Sequence, residues 1–199
     1  MLTLAVARMK IVRALGCCAA LIVVVLVWAA PAAHATEAWA EPLGDGVALP
    51  NLYRVSDELY RGAQPTARGF DALRRLGVRT VINVRPGHEE ATLCLRNGLR
   101  YVEIPMRTWR FEEQDVVRFL QLAASADHAP IFVHCRRGAD RTGMLVAVYR
   151  VVIEGWSRQS ALEEMTRGPY GYNRVWKKLV RFVEHMDVER LRRTAGLDG

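Results

Sequence analysis

The chain is 199 residues long, 51 % hydrophobic, and carries 28 Lys and Arg against 21 Asp and Glu, a formal net charge of +7. Setting aside its first 35 residues leaves 164, enough for one well-filled core and too few for two. The basic residues are scattered and not interleaved with Trp and Tyr, which excludes a nucleic-acid stripe; five isolated His, and no closely spaced Cys beyond residue 35, exclude a metal centre.

In chain order, Arg8, Lys10 and Arg13 precede an acid-free apolar run over residues 14–30, then Pro31 and the small-x-small triplet Ala33-His34-Ala35. Residues 1–35 are therefore expected as a signal peptide cut after Ala35, or as an uncleaved membrane anchor. Either form leaves the remainder exported, periplasmic or extracellular, or held at a membrane facing outside. Without this segment 25 basic residues face 21 acidic ones, a charge of +4 that suits phosphate-bearing substrates. Residues 36–51 read as an exposed leader, because Pro42, Gly44, Gly46 and Pro50 break any element.

The folded domain is expected over 52–193, followed by a tail at 194–199. One or two short strands fall within 52–61, and Thr66 caps a helix carrying Phe70, Leu73 and Leu76 that stops at Gly77. Residues 78–84 read as a strand ended by Arg85-Pro86-Gly87, 88–97 as a helix closed at Gly98, and 101–104 as another strand. A helix over 112–125 leads to a strand at Ile131. The helix over 144–153 is apolar almost all round, which marks it as the central buried element. Ser157 caps a helix with Ala161, Leu162 and Met165 inward, and Trp176, Leu179, Val180, Val183 and Met186 form the stripe of a last one. Strands alternating with helices imply an α/β fold, a mostly parallel central sheet of about four to five strands covered on both faces.

Between strand and central helix lies His134-Cys135-Arg136-Arg137-Gly138-Ala139-Asp140-Arg141-Thr142-Gly143. A strand, loop and helix here gather one thiol, several backbone N–H groups and a positive helix end into one bowl sized for a tetrahedral dianion. Cys135 is the expected nucleophile, its thiol acidified by the same charges. Arg141 offers a planar fork for two phosphoryl oxygens, and Arg136, Arg137, Gly138, Ala139 and Asp140 complete the substrate-binding loop. Thr142 directs its hydroxyl at the sulfur, Gly138 lets the backbone turn inward, and His134 braces the loop. No cofactor is called for.

This loop resembles the His-Cys-x5-Arg-[Ser/Thr] signature of the cysteine-dependent tyrosine and dual-specificity phosphatase superfamily. Tyr53-Arg54-Val55-Ser56, Leu59-Tyr60-Arg61-Gly62-Ala63-Gln64-Pro65 and the segment 76–85 are similar to its compact bacterial members and their plant and fungal atypical relatives. The resemblance implies a three-layer phosphatase architecture and a cysteinyl-phosphate intermediate. It also implies a general acid, for which there are two candidates. Asp140 stands where related loops with Asp-Arg-Thr hold a proton donor. Asp115 stands where other members carry a mobile-loop acid, but an apolar helical stripe follows it, so a helix-capping role competes.

The implied substrate is a phosphorylated protein, phosphotyrosine first, with a phosphoinositide or inositol phosphate as the alternative suggested by Arg136 and Arg137 in the bowl. Arg107, Trp109 and Arg110, within the segment from Met106 to Phe111, are expected to wall the pocket. A rhodanese-type sulfurtransferase and a binding-only pseudophosphatase are the remaining readings. Cys94 is expected as a buried free thiol, against the thought of a protective disulfide with Cys135.

Overall fold

The computed structural model describes residues 37–44, 46–87 and 90–198, so the signal peptide or anchor expected over 1–35 lies outside the described residues. Six strands form one sheet in the order β1-β2-β3-β6-β4-β5: β1 (Glu41–Pro42), β2 (Tyr53–Arg54), β3 (Leu59–Ala63), β4 (Thr80–Asn83), β5 (Arg100–Glu103) and β6 (Ile131–Cys135). β3, β6, β4 and β5 pair in parallel, while β1 and β2 add an antiparallel edge. The helices are α1 (Ala67–Arg75), α2 (Ala91–Arg96), α3 (Glu113–Ala123), α4 (Asp140–Val152), α5 (Arg158–Arg167), α6 (Lys177–His185) and α7 (Val188–Ala195).

Alternation along the strands builds three layers. Ile131, Val133 and Cys135 of β6 face one core with Ile82, where α3, α4, α5, α6 and α7 pack. Phe132 faces the other core with Val81, Phe70 of α1 and Cys94 of α2. β6 is buried at every position, as the centre of a parallel sheet covered on both faces requires. Every residue of α4 except Arg141 is buried, and Met144, Leu145, Val148 and Val152 each contribute about 1.5–3 kcal/mol by leaving water. This helix holds the end of β6 in place.

Three expectations are corrected. The sheet has six strands where four to five were expected, because two-residue edge strands carry too little pattern to read. The leader over 36–51 is not simply exposed: β1 pairs with β2, Leu49 is buried, and the buried Ala40 amide donates to Glu164 Oε1 at 2.7 Å. Pro42 marks an edge strand here, the one place in a sheet where a missing N–H costs little. The tail is also partly structural. Asp187 accepts from the Arg190 amide at 2.9 Å and caps α7, which buries Leu191 and Ala195 before ending at Gly196 (φ 72°). Ser157 caps α5 through the Ser160 amide at 3.0 Å as expected, whereas the Thr66 hydroxyl at the start of α1 turns to the Ala48 carbonyl at 3.4 Å. Among the described residues no helix is long and apolar enough to cross a membrane.

Candidate active site

β6 delivers Cys135 to the C-terminal edge of the sheet, four residues turn, and α4 begins at Asp140. The turn runs against the end of β3. Gly138 has φ 68°, and a Cβ there would sit 2.3 Å from the Gly62 carbonyl, so only glycine fits. The loop carbonyls have partners behind the loop. Arg136 O accepts from the Gln64 amide at 3.4 Å, Arg137 O from Asn51 Nδ2 at 2.8 Å, and Gly138 O from Arg61 Nη2 at 2.9 Å. Because a peptide plane sets C=O and N–H on opposite sides, the amides of residues 137, 138 and 139 point away from those partners. Asn51 itself sits at φ 57°, a conformation that asparagine tolerates better than most residues.

On the open side is a cavity of about 460 Å³ lined by Thr108, Cys135, Arg136, Arg137, Asp140, Arg141, Asn173 and Trp176. Arg141 Nη1 donates to the carbonyls of Met106 (2.9 Å) and Val84 (3.3 Å), which fixes one side of the guanidinium. Its buried Nε has no protein partner among the described residues. Burial pushes the Cys135 thiol up. The Thr142 hydroxyl and amide, the Arg141 charge and the Arg137 amide outweigh that and hold it below the ordinary thiol value. The Thr142 hydroxyl is fully buried, and the group it acts on is the Cys135 sulfur, which it helps to acidify.

The two candidate acids part company. Asp140 is 7 % exposed and lines the cavity; Oδ1 accepts from the Asn173 amide at 2.8 Å and Oδ2 from Arg137 Nη2 at 3.3 Å. Asp115 instead closes a capping box at the start of α3, where its Oδ2 accepts from the Glu112 amide at 2.9 Å, and it is not among the cavity residues. His134 is fully buried, stacked on Phe132, with Nε2 3.0 Å from Glu90 Oε2 and Nδ1 3.4 Å from the Cys135 carbonyl. Its brace is thus a carboxylate as well as the backbone.

Of the segment from Met106 to Phe111, only Thr108 lines the cavity directly. Trp109, 59 % exposed, stacks on Trp176 at 6.2 Å and carries the Arg107 guanidinium 5.6 Å over its ring, while Met106 and Phe111 are core. Asn51, Arg61, Asn173 and Trp176 escaped the reading of the sequence as site residues. For Arg61 the register with β6, two places before the partner of Cys135, is what marks it, and that register is not written in the sequence. Cys94 and Cys135 are both free thiols on opposite faces of the sheet, and burial, helped by Glu90, pushes Cys94 up to about 12.

Residues 49–175 match the family described as DSP-PTPase phosphatase fused to NAD+ Kinase. The dual specificity protein phosphatase TpbA of Pseudomonas aeruginosa (strain UCBPP-PA14) is 37 % identical over 162 residues, 81 % of this chain and 72 % of its own. A crystal structure of a Cys-to-Ser form of P. aeruginosa TpbA in complex with pTyr superposes with a TM-score of 0.71 and 33 % identity, covering 82 % of this chain and 99 % of that one. An inositol diphosphatase of Arabidopsis thaliana is 28 % identical over 152 residues, 72 % of each chain. These likenesses set the sulfurtransferase reading aside. A six-stranded sheet, a signature loop at the end of its central strand and relatives of this extent agree: the chain belongs to the dual-specificity branch of the cysteine-dependent protein phosphatases, and it is a hydrolase.

Proposed function

We propose that the protein hydrolyses phosphomonoesters, phosphotyrosine first, through a phosphoryl group carried on Cys135. The observation that carries this reading is the Cys135 thiol, held below its ordinary value beneath a loop whose carbonyls at 136, 137 and 138 all have partners behind it. Amides and the free side of Arg141 are left for three phosphoryl oxygens.

The Cys135 thiolate attacks phosphorus, an S–P bond forms and the P–O bond to the leaving group breaks. Asp140, the carboxyl that lines the cavity, gives that oxygen its proton. Water then attacks phosphorus, its proton passes to the Asp140 carboxylate, and the S–P bond breaks to release inorganic phosphate. The Thr142 hydroxyl supports the departing thiolate. Trp176, backed by Trp109, supplies an aromatic wall suited to a phenyl ring. The TpbA complex with pTyr supports the same substrate class.

A polyphosphorylated ring is the second reading. Arg136 and Arg137 line the cavity, and Arg174, Lys177 and Arg181 line a separate groove of about 340 Å³ whose residues neighbour Asn173 and Trp176 in the chain. The inositol diphosphatase relative points the same way. We place the enzyme outside the cytoplasm, exported or held at a membrane through its N-terminal segment, on the charge and hydropathy pattern of residues 1–35.

The test is turnover of a phosphotyrosine peptide and a phosphoinositide panel by wild type, Cys135→Ser and Arg141→Lys. Wild type should act on the peptide, Cys135→Ser should be silent yet still bind phosphate, and Arg141→Lys should lose at least about 100-fold, because an ammonium cannot make the two-pronged contact. Turnover by Cys135→Ser would end the covalent mechanism, and turnover confined to the lipids would favour the second reading.

A further inference from the structure

Arg61 is completely buried, and no carboxylate pairs with it among the described residues. It sits on β3 in register with Val133 of β6, two places before Ala63, the partner of Cys135. Its side chain therefore leaves the sheet on the Cys135 face. Nη2 donates to the Gly138 carbonyl at 2.9 Å, the guanidinium lies 3.7 Å over the Tyr170 ring, and Nε and Nη1 have no hydrogen-bond partner among the described residues. Glu164 is the neighbouring carboxylate, bonded to the Tyr170 hydroxyl, but it is committed to Arg150, that hydroxyl and the Ala40 amide. A desolvated, unpaired cation is costly and has no place in a core that a methionine would fill.

Its position explains the cost. With the Gly138 carbonyl tied to Arg61, the Ala139 amide on the same peptide plane points the other way. The register of β3 on β6 sets the guanidinium on the same face of the sheet as the Cys135 sulfur, where burial pushes it down and Tyr170, Glu164 and Cys135, in that order, raise it.

We propose that Arg61 is a positioning residue of the phosphate loop: it turns the Gly138–Ala139 peptide so that its N–H faces the bound anion, and it serves the Cys135 thiolate as a buried counter-charge. In the thiol form the guanidinium makes no ion pair among the described residues, Glu164 being held by Arg150. Ionisation of Cys135, or arrival of a phosphoryl group, supplies one. The inference rests on Cys135 as the nucleophile. The other groups acting on that sulfur are Arg141, Thr142 and the Arg137 amide, with His134 and Glu90 behind it; Tyr53, Tyr170 and Glu164 face Arg61.

The experiment measures alkylation of Cys135 by iodoacetamide across pH on the full chain, with the modified peptide located by mass spectrometry, alongside kcat and protection by inorganic phosphate. Arg61→Met should move the alkylation midpoint up by about one pH unit and weaken phosphate protection about tenfold. Arg61→Lys keeps the charge but not the fork, so the midpoint should stay near wild type while kcat falls about tenfold. Asn51→Gly removes a neutral donor to the loop and should lower kcat with the midpoint unmoved. A folded Arg61→Met with the wild-type midpoint and wild-type phosphate protection, altered only in melting temperature, would overturn the proposal. If Arg61→Met does not fold, Arg61→Lys decides: wild-type kcat refutes the peptide-turning role, and a midpoint raised by a full unit refutes the counter-charge. Failure of the nucleophile reading looks different, because then Cys135→Ser keeps its turnover whatever Arg61 does.

Discussion

Removing the Glu164 carboxylate as Glu164→Ala tests the energetics of the region behind the site. Glu164 accepts from Arg150 Nε at 2.9 Å and Nη2 at 3.1 Å, from the Tyr170 hydroxyl at 3.0 Å and from the Ala40 amide at 2.7 Å. Both charged side chains are almost wholly buried. Stripping one partner from such a pair costs about 3–5 kcal/mol, because the other charge stays in place. Arg150 keeps Glu154 at 2.7 Å, the Val55 and Ala38 carbonyls and the Trp156 face, which sets the loss near the lower end. At roughly 2–4 °C per kcal/mol for a domain of this size, a loss of about 3 kcal/mol should lower the melting temperature by about 6–12 °C. Urea unfolding followed by fluorescence and circular dichroism, with coincident transitions, gives the free energy. Replacing the pair together, Arg150→Met with Glu164→Leu, should cost far less than the sum of the two single changes. Additive losses, or a Glu164→Ala loss below about 1 kcal/mol, would show that water already reaches the pair and refute the reasoning.

Gly138→Ala should destabilise by at least about 1 kcal/mol from its positive φ and lower kcat much further, since the added Cβ meets the Gly62 carbonyl; near-normal kinetics would mean the loop relaxes freely. Asp140→Asn should slow phosphate esters of poor leaving groups by about 100-fold or more and nitrophenyl phosphate much less, with Asp115→Asn showing neither effect; the reverse pattern moves the acid to α3. The acid limb of the kcat/KM profile should lie below the ordinary thiol value of 9.0, because Cys135 ionises early. The same lowered value gives a stability sign: the protein gains stability as pH rises from the folded Cys135 value toward the unfolded one and loses that gain as pH falls back through it. Cys135→Ser should flatten this slope in pH-dependent unfolding, and an unchanged slope would contradict it.

The signature loop and the central helix were legible because their chemistry is contiguous: Cys135, Gly138, Arg141 and Thr142 lie within eight residues, and the apolar run behind them has one reading. The residues that shape the loop from behind were not. Asn51 sits in a stretch of Pro and Gly, and Arg61 in a five-residue strand; both act on backbone carbonyls far along the chain, which leaves no spacing to detect. β1 was hidden by Pro42, whose residue type argues against a strand except at an edge. Trp176 read correctly as part of an amphipathic stripe, yet that pattern cannot say that the first residue of the stripe overhangs a cavity. For Asp115, the capping role that competed with catalysis is the one its hydrogen bonds describe.

The sheet that carries Cys135 also separates it from Cys94, each thiol facing a different core. A peroxide that converts Cys135 to a sulfenic acid therefore meets no resolving thiol among the described residues, and Cys94, pushed up to about 12, stays protonated and unreactive. With Cys94 out of reach, a thiol from solution that can enter the cavity is a route by which the oxidised enzyme recovers. The acidity that makes Cys135 a good nucleophile makes it the oxidant's first target, with further oxidation to the sulfinic acid competing against rescue.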